Sequence, residues 1–440
     1  MTAFALNRPQ RRGACPGLSK PTPTGDGLLA RLMPTGTISL EAFTALCAAA
    51  RQYGNGIIEI TGRGSIQIRG LTNDSAPHFA DAVTALEITV EDGVPVLCNA
   101  LAGLEAEEAI EAAALAAELR RSLARTSFAA KLAPKVSVVI DGGGALCLDE
   151  VAADVRLCGA AQNDKTVLRV SVGGDFATAA PVGVVPFADG VEAAKRLLSV
   201  IADRVRAARA RDILATVGDK PFRAAIADLL VVRAKGNGDS DVVSRVHANR
   251  RTNDPIGAHP LRGESFAYGV GLPFGHADAT ALEQLAQAAG AAGATGIRAA
   301  AGRALMIIGV LPKMASSLAA NAEKLGFVIH SDDPRRRVIA CAGAPVCSSA
   351  HIAARALAPQ IAETAAKYLT GKSRIHVSGC AKGCAYAAAA KLTIVGAAEG
   401  CGIVADGSAR DVPVAIVTTG ELLPAVARLI GNEARAVSHV

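Results

Sequence analysis

The sequence predicts an α+β protein that is internally duplicated: a β-rich half-domain followed by an α/β domain, and then the same pair again. Two short β-rich runs flanking a Gly-Arg turn occur at Ile57–Ile60 and Ser65–Ile68 around Gly62-Arg63. The same pattern returns at Ile297–Ala299 and Leu305–Ile308 around Gly302-Arg303, 240 residues later. Length gives a second observation, since 440 residues exceed what one core organises. Composition gives the third. Half of the residues are hydrophobic, but only 3% are aromatic and none is Trp, so the core must be made from Ala, Val, Leu and Ile. The divisions expected are 1–85, an N-terminal arm and first half-domain; 86–230, the first α/β domain; 231–318, a linker and second half-domain; and 319–440, the second α/β domain.

Residues 1–25 read as irregular, with Pro9, Pro16, Pro21 and Pro23. Leu28–Leu32 reads as a strand turning at Pro34-Thr-Gly36. Glu41 to Gln52 reads as a helix with Phe43, Leu46, Cys47 and Ala50 at helical spacing, which makes Cys47 a core residue. Val94–Asn99 opens the first α/β domain. A helix is expected from about Leu104 to Arg125, its Leu115, Leu119 and Leu123 forming one apolar stripe. Strands are expected at Lys135–Ile140, ending in Asp141-Gly-Gly-Gly144, and near Val167–Val172 and Val182–Val185. A second amphipathic helix is expected from Glu192 to Arg211 with Leu197, Leu198, Ile201 and Val205 inward, and Lys235–Ser240 is the candidate linker. Then come a strand and turn at Tyr268–Gly275 and a helix at Ala281–Ala289.

The last domain carries the chemistry. Cys341-Ala-Gly-Ala-Pro-Val-Cys347 and Cys380-Ala-Lys-Gly-Cys384 bring four thiols in two pairs, each after a strand (Arg337–Ala340 and Arg374–Ser378) and each in a turn of small residues. Small residues leave room for a cluster of iron and sulfide and free backbone N–H groups for its sulfurs. Structural zinc, disulfides and unrelated core cysteines are the alternatives. Zinc sites use shorter spacings than the first pair has, and disulfides need an oxidising compartment. Cys15, alone in a Gly/Pro loop, is a ligand or incidental; Cys98, Cys147, Cys158 and Cys401 lie in or beside apolar runs and read as structural.

No uncharged apolar run approaches the ~18 residues a bilayer span needs. The first twelve residues carry charges where a signal peptide is apolar, so a cytoplasmic protein is expected. The net charge of +6 is spread along the chain without interleaved aromatics, which suits a small polyanion better than nucleic acid. Gly269-x-Gly271 is followed by Pro273 and no immediate helix, so it is not read as a dinucleotide loop.

Taken with the repeat, the C-x5-C and C-x3-C spacing and the strand-turn-strand around Arg63, the chain resembles the nitrite/sulfite reductase superfamily over nearly its whole length. The resemblance implies two ferredoxin-like half-domains plus two α/β nitrite/sulfite-reductase-type domains, which enclose a 4Fe-4S cluster and a sirohaem. It implies Cys341, Cys347, Cys380 and Cys384 as cluster ligands, with Cys384 bridging to the macrocycle iron. It further implies that Arg31, in Arg-x-x-Pro-x-Gly, and Thr61, Arg63 and Gln67, in Thr-x-Arg-x-x-x-Gln, line the macrocycle pocket. Guanidinium forks suit the acid arms of a tetrapyrrole.

Two departures matter. Oxyanion reductases of the superfamily carry an Arg in the strand that here reads Val94–Asn99, and a Lys-x-Lys pair where this chain has Lys135-Val-Ser137. With those cations missing, the branch most resembled is the precorrin-3B synthase family of aerobic cobalamin biosynthesis, through Arg12–Leu18, Pro34-Thr-Gly36 and Ser378–Ala385. That branch implies O2-dependent hydroxylation of precorrin-3A at C20 with closure of a γ-lactone. The iron that activates oxygen is then a sirohaem or a non-haem iron. Electrons come from NADH through a separate reductase, and Arg31, Arg63, Arg69 and Lys135 are the expected contacts to substrate carboxylates, with Lys135 and Arg63 expected to act in catalysis.

Overall fold

The computed structural model describes residues 16–437 apart from 92, 106, 163–164, 206, 232–253, 370–372 and 387. Cys15 and the expected linker Lys235–Ser240 lie outside the described residues. Four five-stranded sheets organise the chain, and they come in two matched kinds.

The two half-domain sheets are antiparallel. One runs in the order Thr22–Thr24, Gly27–Leu32, Ile66–Leu71, Ile57–Ile60 and His276–Asp278. The other runs Gly257–Pro260, Phe266–Gly271, Ala304–Val310, Gly296–Ala300 and Ile38–Ser39. Each half therefore lends an edge strand to the other, which closes an edge that would otherwise stay unpaired. Alternation sets the faces. Ala30, Leu32, Ile58, Ile60, Ile66 and Ile68 point under the helices, whereas Arg31, Glu59, Gln67 and Arg69 fall on the opposite face.

Helix Leu40–Tyr53 starts where the Ser39 hydroxyl accepts from Ala42 N. It packs Phe43, Leu46 and Cys47 against Leu282, Leu285 and Ala289 of helix Ala279–Ala291, so both halves share one core. Leu318, Ala322 and Phe327 belong to that core too, carrying the second half-domain beyond the expected residue 318. The Gly-Arg turns meet where the halves join: Gly302 N donates to Gly62 O at 3.1 Å, and Arg63 bridges Ala301.

The two α/β domains repeat a mixed topology. Val96–Leu97, Val138–Asp141 and Ala153–Gln162 are parallel neighbours, followed by antiparallel Lys165–Gly174 and Ala180–Pro186. Val338–Ala340, Ile375–Ser378 and Ala390–Ala397 repeat the parallel part, followed by antiparallel Gly400–Gly407 and Ala415–Val417. None of the helices is long and apolar enough to cross a membrane among the described residues.

Two helices differ from expectation. The helix expected from Leu104 starts only at Ala112, because Glu105 and Glu108 turn inward to cap a glycine-rich loop: Glu105 accepts from Ala145 N, and Glu108 accepts from Gly103 N at 2.7 Å. A Cβ at Gly142 would stand 2.7 Å from Glu108 Oε1. The helix expected over Glu192–Arg211 splits into Gly190–Ala202 and Ala210–Val217, leaving Val205 79% exposed rather than inward. Asp154 makes the break. Its carboxylate holds the Arg209 guanidinium at 2.7 Å and takes Ala210 N at 3.0 Å, so the chain is pulled out of helical register there.

Burial, then the neighbouring Glu105 and Glu111 charges, push the Glu108 carboxyl up to about 7. A carboxyl raised in the fold favours its protonated form, so stability falls as pH climbs from about 4.5 to about 7. Glu108→Gln is expected to stabilise the protein at pH 8 by about 1 kcal/mol, screening allowed for, and to change little at pH 5. Thermal unfolding at the two pH values checks it; equal shifts at both would refute the titration.

Candidate functional site

The four cysteines of the two pairs lie in loops at the C-terminal ends of two parallel strands, Val338–Ala340 and Ile375–Ser378, where such sheets present ligands. Hydrogen bonds lock the loops together. Gly379 N donates to Cys341 Sγ at 3.1 Å, His351 N to Gly379 O at 2.8 Å, and Lys382 Nζ to Ser349 Oγ at 2.8 Å. Within the first loop Cys347 N donates to Gly343 O at 2.7 Å. Glycine is required at Gly379, where a Cβ would meet Ala350 Cβ at 2.6 Å. Burial raises the Cys341 and Cys380 thiols, and the charges of Cys384 and Cys347 raise both further, so the four stand as electrostatic neighbours.

Every described cysteine is a free thiol, and no three Cys, His, Asp or Glu side chains among the described residues form a single-ion site. Four thiols without imidazole or carboxylate, in loops of small residues with an N–H already turned onto a sulfur, fit an iron–sulfur cluster. Cys384 is the exposed member, and the other three are half-buried. Cys47, Cys147, Cys158 and Cys401 are buried in the body of the protein.

Against the first loop stands the polar face of the first half-domain sheet. A Cβ at Gly25 would lie 2.6 Å from Val346 O, so the turn of the first hairpin rests on the Cys341–Cys347 loop. Three strands bring Arg31, Gln67 and Glu59 into one row. With its amide oriented by these neighbours, Gln67 accepts from Arg31 Nε at 3.0 Å and Nη2 at 2.7 Å, and donates to Glu59 Oε2 at 3.0 Å. Glu59 also pairs with Arg355, on the helix that follows the first cysteine loop. One carboxylate thus joins the sheet to the cysteine domain.

Arg69 departs from the role expected of it. Its side chain is 5% exposed and forks onto Asp26 at 2.9 and 3.1 Å, with Glu59 at 3.8 Å. Its charge is paired inside the protein, where it fastens the hairpin turn. Thr61 shapes the Gly-Arg turn, its hydroxyl 2.9 Å from that of Ser65 and accepting from Ser65 N at 3.1 Å. Arg63 extends from that turn into the first α/β domain, donating to Ser137 Oγ at 3.2 Å and Ala152 O at 2.7 Å. Lys135 is exposed two residues before Ser137.

Ser137 and Val96 occupy the neighbourhood from which cations are missing, and both are buried. A cation does reach this strand from elsewhere: Arg120 donates to Val96 O, and to Glu91 at 3.2 Å. Arg63, Arg120, Cys98 and Asn99 line an open cavity of about 110 Å³, which joins the Gly-Arg turn to the first α/β domain.

Glu59, Arg355, Asp26 and Arg120 carry no sequence signal that singles them out, with one exception. Glu59 is within reach of sequence reasoning, since Ile57-Ile-Glu-Ile60 alternates in phase with Gln67 and Arg69. Nothing local marks Arg355 or Arg120, whose partners are remote in sequence.

Residues 20–86 match the nitrite/sulfite reductase ferredoxin-like half domain, and residues 94–232 match the nitrite and sulphite reductase 4Fe-4S domain. The second match covers Cys98, Cys147 and Cys158, whereas the paired cysteines lie in its structural repeat. A precorrin-3B synthase from Sinorhizobium sp. is 37% identical over 420 residues, 95% of this chain and 88% of the relative. A ferredoxin–nitrite reductase from Synechococcus elongatus is 24% identical over 395 residues, 84% of this chain and 76% of the relative. The structure of the Mycobacterium tuberculosis NirA protein has the same fold, with a TM-score of 0.74 at 22% identity over 92% of this chain and 80% of that one.

Proposed function

Because the chain belongs to the precorrin-3B synthase family, within the nitrite/sulfite reductase superfamily, we propose that it hydroxylates precorrin-3A at C20 and closes the ring-A acetate onto C1 as a γ-lactone. The observation that carries this reading is the 37% identity across 95% of the chain. The chain is an enzyme of the oxidoreductase class with an iron–sulfur or sirohaem-type cofactor.

Cys341, Cys347, Cys380 and Cys384 hold the 4Fe-4S cluster, and a sirohaem or a non-haem iron completes the cofactor set. That set supplies electrons and oxygen activation. Arg31 presents a guanidinium already oriented by Gln67, so an acid arm of the macrocycle meets a fork that loses little freedom on binding. Arg63 and Lys135 add positive charge to the site, Arg63 held by Ser137 and Ala152 O. One oxygen atom of O2 enters the macrocycle; the other leaves as water, taking two electrons and two protons. The sequence carries no nucleotide fingerprint, so the electrons of NADH arrive through a separate reductase.

The neutral Val96 and Ser137 support oxygenation over oxyanion reduction, because a sulfite or nitrite pocket depends on preorganised cations there. The deciding experiment purifies the protein without oxygen, records its absorption, and adds precorrin-3A, a reductant and O2. A lactone one oxygen atom heavier by mass is expected. A strong sirohaem band with sulfite or nitrite turnover and no oxygenated product would overturn the reading.

Arg31→Ala removes a charged hydrogen-bond donor worth about 1.5–3 kcal/mol, so KM for precorrin-3A is expected to rise at least tenfold. Raising salt should weaken wild-type binding more than that of the variant. Steady-state kinetics at low and high ionic strength check both expectations.

A further inference from the structure

Arg303 is the counterpart of Arg63 in the second Gly-Arg turn, but it points into the cysteine domain. Its backbone is left-handed, at φ 64°, a conformation a non-glycine residue rarely holds without a reason. The fold makes room for its side chain: a Cβ at Gly275 would come within 2.7 Å of Arg303 Cδ. Yet the guanidinium at the end of this prepared path has one hydrogen bond, from Nη2 to Ala385 O at 3.4 Å, and no ion pair among the described residues.

Other inward arginines are treated differently. Arg298, five residues earlier, gives its donors to Thr37 Oγ1 and to the carbonyls of Ala100 and Ala102, at 2.7 to 3.1 Å. Arg63 donates to Ser137 Oγ and Ala152 O. Of these three Arg303 makes the fewest hydrogen bonds, a single long one, and Ala385, which it touches, adjoins Cys384.

His376 strengthens the observation. It is 0% exposed on the strand that feeds Cys380, its ring packed edge-on to Tyr386, and neither ring nitrogen has a partner. Burial, then the charge of Arg303, push its pKa down to about 4, so the imidazole is neutral. The Arg303 cation, which reaches the residue next to the exposed ligand, makes this side of the cysteine loops electropositive, with the neutral His376 behind it. Protein interiors rarely leave ring nitrogens such as those of His376 without a partner unless a bound group answers them.

We propose that Arg303, backed by His376, sets the reduction potential of the group held by Cys341, Cys347, Cys380 and Cys384. A positive charge that the protein does not neutralise favours the reduced, more negative state of a cluster, and so raises its potential. Arg303 is thereby a positioning residue for charge and has no contact with substrate. The inference rests on the iron–sulfur reading of the four cysteines.

The test uses the full chain, reconstituted anaerobically with iron and sulfide. Iron and sulfide content are measured first, then the midpoint potential by a redox titration followed by electron paramagnetic resonance. Arg303→Gln is expected to keep the cluster and to shift its potential to more negative values, whereas Arg303→Lys stays near wild type. Equal shifts in the two variants would assign the effect to packing, and an unchanged potential in Arg303→Gln would remove it; either overturns the inference. If Arg303→Gln does not fold, Arg374→Gln serves. Arg374 lies close enough for its charge to act on Arg303 and is only loosely paired, with Glu150 at 3.5 Å. Its loss should give a smaller shift of the same sign, and no shift would overturn the inference. A wild-type chain that takes up neither iron nor sulfide overturns the cluster reading itself.

Discussion

Replacing Cys384 by Ser is expected to lower formation of the oxygenated product at least ~100-fold, since outer-sphere changes alone cost ten- to a hundredfold at metal sites. A serine hydroxyl stays protonated where a thiol ionises, so it is a poor substitute as an iron ligand. Cys384 is the exposed member of the set, and its loop is held from outside by Arg303 on Ala385 O and from inside by the Ser378 hydroxyl on Cys380 O at 2.7 Å. The protein should therefore fold while its iron and sulfide content falls. Cys47→Ala is the control. Cys47 is fully buried in the half-domain core, remote in role from the site, and its loss should cost stability but no iron. Iron analysis, sulfide analysis and product mass on the three proteins decide the matter. Full iron content and full turnover in Cys384→Ser would remove Cys384 from the ligand set.

The fold is legible because its repeat is written in local signals. The Gly62-Arg63 and Gly302-Arg303 turns sit between period-two runs, and helix Leu40–Tyr53 shows both its stripe and its Ser39 cap. What stays hidden depends on residues far apart in the chain. The exchange of Ile38–Ser39 and His276–Asp278 between halves has no local mark, because an edge strand of two or three residues carries almost no pattern. The break after Ala202 is decided by Asp154, some fifty residues upstream, which no helical periodicity can report. Periodicity alone therefore runs the helix through to Arg211.

The site divides in the same way. The cysteine pairs are contiguous motifs and so are read directly. Arg69 has the residue type and the strand of a ligand contact, but Asp26 claims it, and that pairing crosses 43 residues. The duplicated arginines make the point most sharply. Arg63 and Arg303 hold the same place in the two Gly-Arg turns, yet one reaches Ser137 and Ala152 O and the other lies beside Cys384. Duplication gives two equivalent positions; the different domains they face give them different work.

Glu59→Gln is expected to destabilise the protein by about 3 kcal/mol and to raise KM for precorrin-3A while changing kcat little. Glu59 is 15% exposed and is the carboxylate paired with Arg355 among the described residues, so removing its charge leaves that largely buried guanidinium undercompensated, whereas Arg69 keeps Asp26. The amide order explains the effect on substrate. At present Gln67 turns its oxygen to Arg31 and its nitrogen to Glu59. If the amide introduced at position 59 keeps its oxygen toward Arg355, it presents an N–H to Gln67. Gln67 must then rotate, and Arg31 faces a donor instead of an acceptor. The guanidinium loses the orientation that makes it a ready fork. Because Arg355 sits on the helix after the first cysteine loop, the same change loosens the sheet from the cysteine domain. Thermal unfolding reads the first effect and steady-state kinetics the second. A variant within ~0.5 kcal/mol of wild type, with KM unchanged, would show that the row across the sheet does not organise the site.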